Sequence, residues 1–75
     1  MTKEQFENTL RRLLRRKPFI PFVIEMLDGS QVEVDYPSVA FNEGGGWYFT
    51  STYDLIEFHC TKVQEIRLVS FETAP

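Results

Sequence analysis

At 75 residues the chain has room for one hydrophobic core, and a core of that size supplies only roughly 3–5 kcal/mol of net stability. A single cysteine, Cys60, excludes an intramolecular disulfide, so stability must come from packing, with self-association a useful supplement. The net charge of −3 argues against a general polyanion binder.

That net value conceals a split. Residues 1–17 carry Lys3, Arg11, Arg12, Arg15, Arg16 and Lys17 against Glu4 and Glu7, a balance of +4, whereas the rest carries Lys62 and Arg67 against nine acids, a balance of −7. Such asymmetry steers copies head to tail, or steers the basic segment to an acidic partner. The polar start Met1-Thr2-Lys3-Glu4-Gln5 has no apolar signal core, and no run of about 18 apolar residues occurs, so a cytoplasmic protein without a membrane partner is expected.

Thr2 and Gln5 fit a capping box, which predicts a helix starting there. Phe6, Leu10, Leu13 and Leu14 recur at i, i+4, i+7 and i+8 and share one apolar stripe. Cations in the last turns oppose the negative carbonyl end and Pro18 forbids continuation, so the helix is expected over about residues 3–16. The run Arg11, Arg12, Arg15, Arg16 and Lys17 is the candidate contact for a phosphate backbone or another acidic partner. Its alternative reading is a solvated face, since no aromatic residue interleaves with it.

Ile20, Phe22, Ile24 and Met26, then Val32, Val34 and Tyr36, alternate with polar or outward positions, which predicts strands over about 20–26 and 30–36. A two-residue Asp28-Gly29 turn would set Glu25 against Val32. A three-residue loop, Leu27-Asp28-Gly29, with Gly29 at positive φ, instead pairs Met26 with Ser30, Ile24 with Val32, Phe22 with Val34 and Ile20 with Tyr36. Pro21 is expected at an edge or just before pairing begins. Phe19 and Phe22 read as core or hinge contacts for the helix.

After Pro37, strands over about 38–42 and 47–50 flank Asn42-Glu43-Gly44-Gly45-Gly46. A five-residue loop there pairs Phe41 with Trp47 and Val39 with Phe49 on one face. The glycines lack the lysine motif and following helix of a phosphate loop and read as a hairpin tip. Beyond Ser51, either a helix bearing Tyr53, Ile56, Cys60 and Val63 on one side, or a turn at 51–54, a strand over 55–59, a helical turn at 60–62 and a strand over 63–69, fits the pattern. The β-branched and aromatic residues Ile56, Phe58, Val63, Ile66 and Val69 favour the second.

The expected architecture is therefore one α+β domain over 1–75, an N-terminal helix followed by about five antiparallel strands in a small open barrel or strongly bent sheet. His59 and Cys60 are neighbours that point to opposite faces of a strand, with no further ligand to complete a metal site. Glu33 and Asp35 share an outward strand face. No enzyme, metal or cofactor is expected. Trp47, Tyr48 and Tyr53 near the glycine loop are candidate contacts for a small ligand, with core and sheet surface as the alternative.

The helix followed by strands, with Phe22-x-Ile24-x-Met26-Leu27-Asp28-Gly29-x-x-Val32 in the first hairpin, resembles the bacterial Sm-like RNA chaperone family, of the wider SH3-like barrel kind. That resemblance implies a small barrel, ring assembly through edge strands and RNA binding. Val34 stands where those strands carry a bending glycine, and Phe58-His59-Cys60 does not reproduce their Tyr-Lys-His. The string Lys17-Pro18-Phe19-Ile20-Pro21-Phe22-x-Ile24, then Asp28-Gly29 and Val34-x-Tyr36-Pro37, is also similar to a small bacterial family without an assigned role. The functional expectation is a non-catalytic interaction domain that forms a homo-oligomer or binds a protein partner. A module binding RNA or DNA through its basic helix is the alternative.

Overall fold

The computed structural model describes residues 1–69 and is α+β: helix α1 (Lys3–Arg15) precedes six antiparallel strands in two three-stranded sheets that do not close into a barrel. Strands β1 (Phe22–Met26), β2 (Gln31–Val34) and β6 (Val63–Leu68) form one sheet in the order β2-β1-β6. Strands β3 (Val39–Asn42), β4 (Gly45–Phe49) and β5 (Leu55–His59) form the other in the order β3-β4-β5. A 3₁₀ turn, Cys60–Lys62, carries the chain from β5 into β6, so residues 55–62 are not an α-helix. Pairing stops around Pro37, between β2 and β3, as the separate strands expected on its two sides require. Pro37 has no N–H, and Ser38 N–H turns back onto the Tyr36 carbonyl at 2.8 Å.

Both halves of the capping box are made, Gln5 N–H to Thr2 Oγ1 at 3.1 Å and Thr2 N–H to Gln5 Oε1 at 3.3 Å. The helix lays Phe6, Leu10 and Leu13 into a cluster with Phe22, Ile24, Val34 and Val63 of one sheet and Tyr48 and Phe58 of the other. The Phe6 ring meets the Phe58 ring edge to face at 6.0 Å, which ties the helix to the second sheet. Phe19 packs edge to face on Phe22 at 5.9 Å and joins the same core.

The first hairpin has the register its side chains require: Phe22 opposite Val34, Ile24 opposite Val32 and Met26 N–H bonded to the Ser30 carbonyl at 2.8 Å. Gly29 has φ +93. The ladder ends at Phe22 and Val34, so Ile20 and Tyr36 are not paired and Pro21 lies just outside β1. A side chain at Gly29 would meet nothing within 4 Å, so only the backbone resists it. Gly29→Ala is expected to cost about 1–2 kcal/mol in urea unfolding, the penalty of a left-handed alanine.

Asp28 organises this loop. Its carboxylate accepts from Ser30 Oγ at 2.7 Å and Ser30 N–H at 2.9 Å, and these bonds hold it below the usual carboxylate range. Because the folded pKa is the lower one, the stabilisation is complete above the unfolded pKa and is lost as pH falls through the folded value. The Ser30 amide resonance should accordingly titrate with a midpoint below that of Asp in an unstructured peptide. A midpoint at or above the peptide value would contradict the loop geometry.

The second hairpin corrects the expected register. Val39 lies opposite Tyr48, Ala40 opposite Trp47, Phe41 opposite Gly46 and Asn42 opposite Gly45, so the turn is the two residues Glu43 and Gly44. Both have positive φ, +54 and +80, as a tight hairpin turn of matching twist demands. Shifting a strand by one residue exchanges its faces. Tyr48 is therefore in the core, while Trp47 and Phe49 are outside. The cause is Gly46, on the core side beneath the Phe58 ring, where a Cβ would come within 2.8 Å of Cζ. Phe58 takes the place that a side chain on β4 would fill.

Candidate functional site

Each three-stranded sheet has two edge strands, β2 and β6 in one and β3 and β5 in the other, of which β5 and β6 come last in the chain. Hydrogen-bond phase fixes which backbone groups each edge presents. Cys60 N–H bonds to the Gly44 carbonyl at 2.8 Å and Thr50 N–H to the Asp54 carbonyl at 2.9 Å. With Gly46 opposite Phe58 and Tyr48 opposite Ile56, the even-numbered residues of β5 face β4. The N–H and C=O groups of Leu55, Glu57 and His59 consequently point away from their own sheet. On β6, Val69 N–H bonds to the Pro21 carbonyl at 3.1 Å, and Arg67 and Glu65 lie opposite Val23 and Glu25. The N–H and C=O groups of Ile66 and Leu68 therefore point outward.

Exposed leucines mark both edges: Leu55 is 48% and Leu68 39% accessible. Leu55 is directly opposite Phe49, itself 52% accessible, in the close, non-hydrogen-bonded kind of pair, so the two make one apolar spot on the outer face. Leu68 lies opposite Phe22, on the core-facing side of its sheet, but beyond the reach of full cover. Sequence reading passed over both leucines. The signal was present for Leu55, which falls on the polar side of an alternation whose apolar members are Ile56 and Phe58.

A cleft of about 430 Å³ opens beside β5 toward its His59 end, lined by Met26, Gly45, Gly46, Trp47, Glu57, Phe58, His59 and Lys62. Trp47 and Glu57 are cross-strand neighbours. Gly45, between Asn42 and His59 in register, supplies no side chain to the outer face and leaves the floor bare. His59 Nδ1 accepts from Thr61 N–H at 3.3 Å.

The three aromatics expected to form a ligand site are not brought together. Trp47 lines the cleft. Tyr48 is buried, its hydroxyl oxygen accepting from Asp35 N–H at 3.2 Å and its ring 5.9 Å from that of Tyr36. Tyr53 stands 90% accessible in the β4–β5 turn at φ +68. A net of hydrogen bonds among Thr50, Thr52 and Asp54 braces that turn.

The basic candidates Arg11, Arg12, Arg15, Arg16 and Lys17 are all exposed. Arg11 is drawn inward, bonded to Asn8 Oδ1 at 3.0 Å and stacked over the Phe41 ring at 5.6 Å. Among the described residues the other four form no ion pair. Cys60 is buried and His59 exposed, with Sγ 3.9 Å from the Nδ1 already engaged by Thr61. No helix among the described residues is long and apolar enough to cross a membrane. No protein-family model, curated protein or solved structure matches the chain.

Proposed function

We propose that this is a non-catalytic interaction domain that self-associates, β5 of one copy adding to β6 of the next. The observation that carries this reading is the pair of edges, each with outward N–H and C=O groups and an exposed leucine. Antiparallel addition makes hydrogen-bonded pairs of the outward residues, which sets Leu55 opposite Leu68 of the second copy and Glu57 opposite its Ile66. Phe49, Leu55 and that leucine then form one covered apolar stripe.

The phase also specifies the shape. Leu55 is on the outer face of its sheet and Leu68 on the core-facing side of its own, so the shared sheet has one core on each of its two faces. The contact is heterologous, and repetition closes a ring or extends a filament. The charge split between residues 1–17 and the acidic remainder adds a long-range attraction between unlike parts of two copies. Sedimentation across the micromolar range should show a concentration-dependent oligomer. A strict monomer at high micromolar concentration overturns the proposal.

A further inference from the structure

We infer that in the unpaired subunit the cleft beside Trp47 binds a small aromatic zwitterion of the free α-amino acid class; Glu57 lies both in this cleft and on the edge proposed to take β6 of another copy, so the two occupants compete. Two charged residues of the cleft lining are left without ion-pair partners among the described residues. Glu57 and Lys62 line it together, yet neither forms an ion pair with the other or with any described residue. The only other cation in residues 18–69, Arg67, is held by Glu25 at 2.8 Å and Glu65 at 3.2 Å. Lys62 is also felt by Asp28, but that carboxylate is already committed to Ser30.

An anion and a cation facing one cavity without meeting are complementary to an occupant that carries both charges. Apart from His59, the rest of the lining is apolar or without a side chain: Trp47, Met26, Phe58, Gly45 and Gly46. A planar ring fits against the indole. Its ammonium then lies toward Glu57 and its carboxylate toward Lys62. A volume near 430 Å³ is at the small end of ligand sites and suits one ring with a three-carbon zwitterionic tail.

The test uses the full chain and three probes: L-phenylalanine, phenylalaninamide, which lacks the carboxylate, and 3-phenylpropionate, which lacks the ammonium. The Trp47 indole N–H resonance is expected to shift saturably with L-phenylalanine, each truncated probe binding about fivefold or more weakly. Lys62→Met should erase the difference between L-phenylalanine and its amide. Glu57→Gln should erase the difference between L-phenylalanine and 3-phenylpropionate. Binding should persist in Leu55→Lys, whose altered residue lies outside the cleft and whose β5 edge is left uncovered, so the ligand reading is tested apart from assembly. No saturable shift at millimolar L-phenylalanine, or a probe ranking unchanged by the two charge variants, overturns the inference.

Discussion

Leu55→Lys and Leu68→Lys are each expected to leave the protein monomeric at concentrations where the parent associates, and an equimolar mixture of the two to form a 1:1 dimer. Each variant spoils one edge and keeps the other. In the mixture, the intact β5 of Leu68→Lys meets the intact β6 of Leu55→Lys, while the second junction would oppose two lysines and stays open. Burying one leucine contributes about 1.5–3 kcal/mol, so its loss alone weakens each junction roughly ten- to hundredfold. Desolvating an unpaired lysine weakens it further. Analytical ultracentrifugation of the singles and the mixture distinguishes the possible contacts. If Leu68→Lys alone still dimerised, the contact would not run through β6 and the proposed head-to-tail contact would be wrong. Neither leucine belongs to the fully buried set, so both variants should retain the parental melting behaviour of the isolated subunit.

How much of this was legible before the structure depended on whether neighbouring residues had to agree with one another. The first hairpin was readable because only one loop length keeps Phe22, Ile24, Val32 and Val34 on a common face, and Gly29 at φ +93 is the consequence. The helix was readable because its cap, stripe and terminal charges all point to the same span. In the second hairpin the register expected and the one observed put comparably apolar residues on the core face, Trp47 and Phe49 in the first and Tyr48 in the second. What decides between them is a contact with Phe58, twelve residues beyond Gly46, and periodicity within β4 carries no trace of it. Trp47, Tyr48 and Tyr53 share only nearness to the glycine loop in sequence, and neighbours on a strand such as Trp47 and Tyr48 point to opposite faces in any register. The edges were invisible for a related reason. Which N–H groups point outward follows from hydrogen-bond phase, and phase depends on partners distant in sequence.

Gly46→Ala and Gly45→Ala, one residue apart, should move stability in opposite directions. At Gly46 the added methyl would drive into the Phe58 ring, with Cζ at 2.8 Å, and that ring is already fixed edge to face against Phe6. Overpacking of this kind costs about 1–3 kcal/mol, a fall in Tm of roughly 5–20 °C for a domain of this length. At Gly45 the nearest atom is the Asn42 carbonyl oxygen at 3.6 Å, an ordinary contact, and φ is not in the left-handed region. Alanine there chiefly restricts the unfolded chain and should raise stability by about 0.4–1 kcal/mol. The partner is testable directly. In a Phe58→Leu background the smaller side chain should relieve Gly46→Ala, reducing its cost by about 1 kcal/mol in a double-mutant cycle. Equal effects of the two alanines, or a Gly46→Ala cost indifferent to residue 58, would mean that the glycine is held by something other than the aromatic ring, and the account of why Trp47 faces outward would fail with it.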